Sequence, residues 1–479
     1  MKDPMNEAYQ VIVIGAGAGG LVVAIGAAKA GKRVLLIDKG TWGGDCTNFG
    51  CVPSKSLIAS AHAASAIRNG EKFGIKLDSK TFNGNGALDR TRDIVQSILS
   101  HEDPPALKEK GVETLTGTAT FTDPHTLKVT LSSGEQKTVK GKSIVIATGS
   151  HPRVPPIPGL ETVPFHTNET IFDLTAIPDT LGVIGGGPIG CELAQAFHHL
   201  GSHVTLVQHG RHLLKKEEIE AQKVIEETFR KDGIQLILGK EVERVEKKEN
   251  RIILHFPNES VEVNELLVAT GRTPSIDQLG LEKIGIKAGP KGIPVDGYGR
   301  TAHSHIMAVG DVTGRALFTH IAENEARTVL TNLILPWPIR YKIDVKQPVP
   351  RVTYTDPEIA AVGMTEKEAA EMYGEHKIAV YTVPFSDVDR AITEGRTEGF
   401  VKIVTKKWSS RILGATIAAP RAGEMLGQLS TAMSANLPLR KLASLIHPYP
   451  TYNLAIRKAA DQWLTKTVLP SLMKWIKRK

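Results

Sequence analysis

The chain has 479 residues, 41% of them hydrophobic and 23% charged, with 45 glycines and three cysteines; that is room for about three ordinary domains with substantial cores. Of the net charge of +8, five positives (Lys466, Lys474, Lys477, Arg478, Lys479) stand unopposed in the last fourteen residues, which leaves the body at +3 and gives a nucleic-acid-binding role no support. No run is long and uncharged enough for a membrane span, and the scarcity of cysteine suits a reducing, cytoplasmic compartment.

Tyr9 to Ile14 predicts a buried strand. It runs into Gly15-Ala16-Gly17-Ala18-Gly19-Gly20, a small-residue helix from Leu21 to Ala30, Gly31, and a second strand from Arg33 to Ile37 that ends at Asp38. In such a unit Gly15, Gly17 and Gly20 let the backbone approach a pyrophosphate at the helix start. The acid, Asp38, with Lys39 beside it, accepts hydrogen bonds from ribose hydroxyls. The motif carries weight because strand, helix and acid accompany the glycines; alone, the glycines also fit a turn in an unrelated α/β fold.

Next comes Gly43-Gly44-Asp45-Cys46-Thr47-Asn48-Phe49-Gly50-Cys51-Val52-Pro53-Ser54-Lys55, leading into a helix-like run from Ser54 to Asn69. Cysteines five positions apart in a glycine-flanked turn can meet. A thiolate at a helix N-terminus is stabilised by unpaired N–H groups and the dipole, and stays reactive near neutral pH. From composition alone, two unrelated buried thiols are the plainer alternative.

Val112 to Thr130 alternates like short strands, and Ser143 to Ala147 is a buried strand ending at Thr148-Gly149. Pro152, Pro155, Pro156 and Pro158 then mark a domain boundary. Leu181 to Gly190 repeats the first unit: strand, Gly185, Gly187 and Gly190 in the same spacing, a helix from Cys191 to Leu200, and a strand from His203 to Val207. The interval from first glycine to strand-end residue is 23 in both units, so the chain contains two dinucleotide sites. In the second, Gln208 replaces the acid and His209, Arg211, Lys215 and Lys216 follow, which favours the 2′-phosphate of NADPH over NADH; a solvated basic face is the alternative. Glu265 to Thr270 ends at Gly271-Arg272, and His305 to Asp311 reads as a further strand. Beyond Gln347, Phe400 to Val404 and Ile412 to Ile417 suit antiparallel strands, and Gly423 to Ser434 a helix.

The cysteine stretch, with these two units around it, resembles the redox-active motif of the FAD-dependent pyridine nucleotide-disulfide reductases, the family of lipoamide dehydrogenase, glutathione reductase and mercuric reductase. The resemblance runs from Tyr9 to about Trp463 and implies two Rossmann-like dinucleotide-binding domains plus a C-terminal α+β dimerisation domain. The expected division is 1–155 for FAD, 156–274 for NAD(P)H, 275–346 returning to FAD, 347–466 for the interface, and 467–479 as a basic tail. It further implies FAD contacts at Gly44, Thr118 and Ala119 on the adenine side, at Thr148 and Gly149, and at Asp311 along the ribityl chain, with Gly271 flanking the second nucleotide. Leu317 to Arg327 would pass beside the flavin ring. Electrons would pass from NADPH through the flavin to a Cys46–Cys51 disulfide, with Cys51 against the ring, Cys46 as the exchanging sulfur, and Lys55 and Glu192 as an ion pair at the flavin edge. A symmetric homodimer is implied, since the C-terminal catalytic position serves the partner's cysteines.

At that position the sequence departs from the disulfide-reducing members. His447-Pro448-Tyr449-Pro450-Thr451 places Tyr449 where they carry a histidine, and Leu454 where they carry its glutamate. A phenol of pKa about 10 cannot shuttle protons near neutrality as an imidazole of about 6.5 can; His447 from a shifted position is the alternative base. Pro448-Tyr449 and Glu192-Leu193-Ala194-Gln195-Ala196-Phe197 resemble mercuric reductase, but the C-terminal cysteine pair of those enzymes is missing. Expected acceptors are therefore a soft metal ion or a disulfide, with dihydrolipoamide dehydrogenase as the rival activity and a membrane-tethered or complex-docked flavin redox sensor as the rival class. The tail can rest on an anionic membrane as a short amphipathic helix, but its length favours a flexible end or packing on the dimer.

Overall fold

In the computed structural model, residues 8–76, 83–336, 338–344 and 347–476 are described, and Lys477, Arg478 and Lys479 of the basic tail lie outside them. Three sheets organise the chain. The first has parallel neighbours in the order Glu113–Asp123, Val34–Asp38, Tyr9–Ile14, Gln136–Ile146 and Ile306–Ala308. Thr126–Leu131 adds an antiparallel excursion between the long strands on either side of it in sequence. Parallel strands buried on both faces read as unbroken apolar runs, as Val11 to Ile14 and Val34 to Ile37 do.

The second sheet is parallel throughout, in the order Glu265–Val268, Thr180–Ile184, His203–Gln208 and Gln235–Leu238. The third is antiparallel, in the order Arg351–Thr353, Glu358–Gly363, Ile412–Ala419, Phe400–Lys406 and Ile378–Pro384. The chain crosses between the first two sheets at Ser150–Pro152 and returns at Arg272–Pro274, and the two crossings pair antiparallel. This small ribbon brings residues 122 positions apart, Ser150 and Arg272, to one point below the cysteine turn.

Helix boundaries differ from the sequence reading in an informative way. The first glycine-rich helix spans Ala18–Lys29 rather than Leu21 to Ala30, because it begins inside the glycines with extended Gly17 as its cap. The cysteine helix spans Cys51–Arg68 rather than starting at Ser54. Pro53 lies in the first turn, where its missing N–H costs no hydrogen bond, so Cys51 is itself the first helical residue. The expected strand from His305 to Asp311 is shorter, Ile306–Ala308, and closes in a tight turn at Gly310–Thr313.

Helix Cys51–Arg68 packs across the domain junction on helix Pro188–Leu200, sharing one core through Leu57, Ala61, Leu193 and Phe197. At the C-terminus, helix Leu454–Gln462 continues through a wide π-type turn, Trp463–Val468, into helix Leu469–Ile476. Among the described residues no helix is long and apolar enough to cross a membrane.

Candidate active site

A cleft of about 1870 Å³ runs from the first glycine turn past the cysteines to the second unit. Its floor is built by close backbone approaches. A Cβ on Gly20 would lie 1.9 Å from Gly15 O, and one on Gly190 would lie 1.8 Å from Gly185 O, so in both units only glycine lets the helix pack against its own turn. Gly44, at φ +68, has its missing Cβ 2.4 Å from Gly17 Cα; the dinucleotide turn and the cysteine turn lie back to back.

Asp38 closes the first turn. Its Oδ2 accepts the Ala16 N–H at 2.8 Å, and its Oδ1 accepts Gly40 N–H at 2.8 Å and Thr41 N–H at 2.6 Å. Carboxylate oxygens have further lone pairs for a ribose, and Asp38 and Lys39 both line the cleft. In the second unit Gln208 Oε1 accepts the Gly186 N–H at 2.8 Å, the register of Ala16 and Asp38. The neutral amide reproduces the structural half of the acid's work without its charge. His209 pairs with Glu241 at 2.9 Å, whereas exposed Arg211 has no ion-pair partner among the described residues.

The cysteine turn is held by Asn48, whose amide donates to Trp42 O and Gly44 O, both at 2.8 Å. Cys46 and Cys51 are both free thiols and Cys191 is buried elsewhere; the first two influence each other's ionisation. The Cys46 S–H donated to Cys51 is the largest cause lowering the Cys51 thiol to about 6; burial opposes it, and the Thr319 hydroxyl and the Lys55 ammonium assist. The same contact and burial push Cys46 up. Thr319 Oγ1 lies 3.7 Å from Cys51 Sγ and opens helix Thr319–Ile334, so two helix N-termini converge on one sulfur.

Lys55 Nζ meets Glu192 Oε2 at 2.7 Å, between the two packed helices. Glu192 is 5% exposed and also accepts the Tyr354 N–H at 2.8 Å, while Lys55 Nζ lies 4.5 Å from the Tyr354 ring centroid. On the other side of the turn, Arg272 holds Asp45 at 2.9 Å and donates to Ser150 Oγ at 2.7 Å. Ser150 Oγ in turn donates to Asp311 Oδ2 at 2.6 Å. Burial pushes Asp311 up, against the Ser150 hydroxyl and Arg272.

The cleft thus brings together Gly15, Gly17, Gly44, Cys46, Cys51, Lys55, Thr148, Gly149, Glu192 and Asp311. Other expected residues lie elsewhere. Ala119 is in the core of the first sheet and Thr118 is exposed on the same strand, so neither side chain lines the cleft. Gly185, Gly187, Gln208, His209 and Arg211 belong to the second turn and the strand end beside it, and Gly271 follows strand Glu265–Val268 against Arg153; this unit reaches the cleft through Pro188, Ile189, Lys215 and Lys216. Tyr449 is 71% exposed on its own subunit, and its hydroxyl donates to Asp389 Oδ2 at 2.8 Å, which raises the phenol further. His447 has both ring nitrogens engaged, by Gln428 Nε2 at 3.0 Å and Leu445 O at 3.0 Å.

Sequence reasoning missed Thr319, Tyr354 and the Arg272–Ser150 link. The signal for Thr319 was its place just after Leu317, in the stretch expected beside the ring; Arg272 directly follows Gly271. The sequence held no signal for Tyr354.

Two family models cover almost the whole chain: pyridine nucleotide-disulphide oxidoreductase over residues 9–326 and the dimerisation domain of the same family over residues 349–460. The chain belongs to the pyridine nucleotide-disulphide oxidoreductase family. It is 34% identical to a mercuric reductase of Streptomyces lividans over 95% of this chain and 96% of that protein. It is 32% identical to a dihydrolipoyl dehydrogenase of Chlamydia pneumoniae over 93% and 95%. Among solved structures it is similar to the HOCl-induced flavoprotein disulfide reductase RclA of Escherichia coli, with a TM-score of 0.85, 30% identity, and 95% and 99% coverage; the same protein is also solved as a Cu(II) complex.

The family is FAD-dependent with NAD(P)H as donor, and its dimerisation domain supports a homodimer. The residues present fit FAD: the glycine cradle leaves space only where no Cβ stands, and half-buried Asp311 lines the same cleft.

Proposed function

We propose that the chain is an NADPH-dependent FAD disulfide oxidoreductase that passes electrons through Cys46 and Cys51 to a soft metal ion, with disulfides as poorer acceptors. The observation that carries this reading is a poised thiolate and thiol pair on a chain whose C-terminal catalytic position holds Tyr449 and Leu454. Bound FAD would supply hydride acceptance from the nicotinamide and two-electron transfer to the disulfide. Opening that disulfide takes two electrons and one proton and leaves Cys51 as the thiolate and Cys46 as the thiol.

Proton stoichiometry then separates the acceptors. Reducing a disulfide with NADPH consumes a proton from solvent and yields two thiols, so an acid must deliver protons at the site. Reducing Hg(II) to the metal, or two Cu(II) to Cu(I), releases a proton instead. A Cys46 proton is displaced by the incoming ion, for which thiolates are preferred ligands. A site without an imidazole–carboxylate pair suits the second chemistry. The Cu(II) complex of the Escherichia coli relative supports Cu(II) as one such ion.

The identity to dihydrolipoyl dehydrogenases favours lipoamide as a second reading, against which the same two positions stand. Gln208 and Arg211, which has no ion-pair partner among the described residues, support NADPH as donor, and with Gln208 turned towards Gly186 the discriminating charge falls to Arg211. Anaerobic titration with NADPH and NADH, followed by turnover with Cu(II), Hg(II), lipoamide, glutathione disulfide and quinones, tests the proposal. Cu(II) or Hg(II) should give the highest kcat/KM, and Arg211→Ala should raise KM for NADPH about tenfold without changing that for NADH. Faster turnover of lipoamide than of either ion would sink the reading.

A further inference from the structure

The last helix of the chain carries an apolar stripe that no described residue covers. Helix Leu454–Gln462 buries Ala455, Ile456 and Ala459 in the core of the interface domain. The chain is then pinned by Trp463 Nε1–H to Lys407 O at 3.0 Å and by Thr467 Oγ1 with Tyr381 OH at 2.7 Å. Beyond this point burial stops. Leu469, Leu472, Met473 and Ile476 are 42%, 47%, 57% and 57% exposed, at the spacing i, i+3, i+4, i+7 that aligns them on one helical face. Trp475, 55% exposed, flanks the stripe.

The sequence after Asp461 contains five cations, Lys466, Lys474, Lys477, Arg478 and Lys479, and no acid. We infer that this C-terminal helix is a docking surface for an anionic lipid bilayer, lying in the headgroup plane with Leu469, Leu472, Met473 and Ile476 turned towards the acyl chains. Apolar side chains and tryptophan interleaved with lysine are the composition such interfacial helices need. A second copy of the same end would set like charges against each other. A neutral surface would leave the cations without counter-charges. One helix this short binds weakly.

Sedimentation of the full-length holoenzyme with vesicles tests this. Vesicles of phosphatidylcholine with about one-quarter phosphatidylglycerol should bind at least about tenfold more protein than phosphatidylcholine alone, and added salt should weaken the difference. The variant Leu472→Glu/Met473→Glu should lose this binding while flavin content and NADPH oxidation stay at the parent level. No binding, equal binding to both vesicle types, or unchanged binding by the variant would overturn the inference. Dissociation of the variant's dimer in light scattering would overturn it too, by assigning the stripe to a contact between copies.

Discussion

Two hydrogen-bond donors, the Cys46 S–H and the Thr319 hydroxyl, and the charge of the Lys55 ammonium lower the Cys51 thiol, and each can be removed alone. The reduced protein should show thiolate absorbance that titrates with a midpoint near pH 6, the value to which these donors lower the group. In Cys46→Ala the largest cause is gone, and the midpoint should rise by on the order of one unit; Thr319→Val should raise it less. An acid whose folded pKa is depressed contributes stability above its unfolded value, and the contribution is lost as pH falls through the folded one. The reduced enzyme should therefore lose stability relative to Cys51→Ser as pH drops through about 6. An unmoved midpoint in Cys46→Ala would deny the sulfur pair its role. Lys55→Met tests the neighbouring pair: it leaves Glu192, 5% exposed, without its cation. Because Lys55 is itself part-exposed, the loss should be about 1–3 kcal/mol in urea unfolding. Glu192→Gln in the same background should restore part of it.

At the scale of elements, the two glycine units are nearly superimposable in their constraints, and this predicts a clean separation of cofactor effects. Gly20→Ala drives a Cβ into Gly15 O at 1.9 Å and should yield protein that retains little flavin. Gly190→Ala meets Gly185 O at 1.8 Å and should leave flavin content intact while raising KM for the NAD(P)H donor roughly tenfold. Equal flavin loss in both variants would mean that the two turns are not independent. These units were legible in the sequence because their demand is local: strand, turn, helix and strand-end acid lie within 30 residues, Tyr9 to Asp38. The cysteine turn was legible for the same reason. The donors around it were not, because chain crossings deliver them. Thr319 comes from 268 positions away, Arg272 is swung beneath the turn by a two-stranded ribbon, and Tyr354 enters from the third sheet. No periodicity encodes such meetings. The cysteine helix was expected from Ser54 and begins at Cys51, because a proline at position 53 is tolerated in a first turn.

For the whole molecule, function requires that the second nucleotide unit and the interface domain keep a fixed relation to the cysteines, and a charge cluster joins them. Lys402, 3% exposed on strand Phe400–Lys406, reaches Glu218 at 3.2 Å, Glu220 at 2.9 Å and Glu366 at 2.6 Å. Beside it Arg351 holds Glu217 at 2.7 Å. Glu217, Glu218 and Glu220 precede or open helix Ile219–Asp232 of the nucleotide unit; Arg351, Glu366 and Lys402 belong to the interface domain. Lys402→Met strands buried Glu218 without a cation, and a loss of about 2–3 kcal/mol is expected after discounting for the half-exposed Glu220 and Glu366. The pH dependence identifies the cause. Burial acts to raise Glu220, but the Lys402 hydrogen bond outweighs it and the carboxyl is depressed, so its contribution is present above the unfolded value of about 4.3 and lost as pH falls below it. Burial acts to lower Lys402, but Glu366 and Glu220 outweigh it and the ammonium is raised. That contribution is full below the unfolded value of about 10.4 and is lost as pH climbs through the higher folded one. The stability gap between parent and Lys402→Met should thus be flat from about pH 5 to pH 10 and close on both flanks. A gap that persists unchanged in acid would show that Lys402 acts by packing its stem and not by joining the domains through charge.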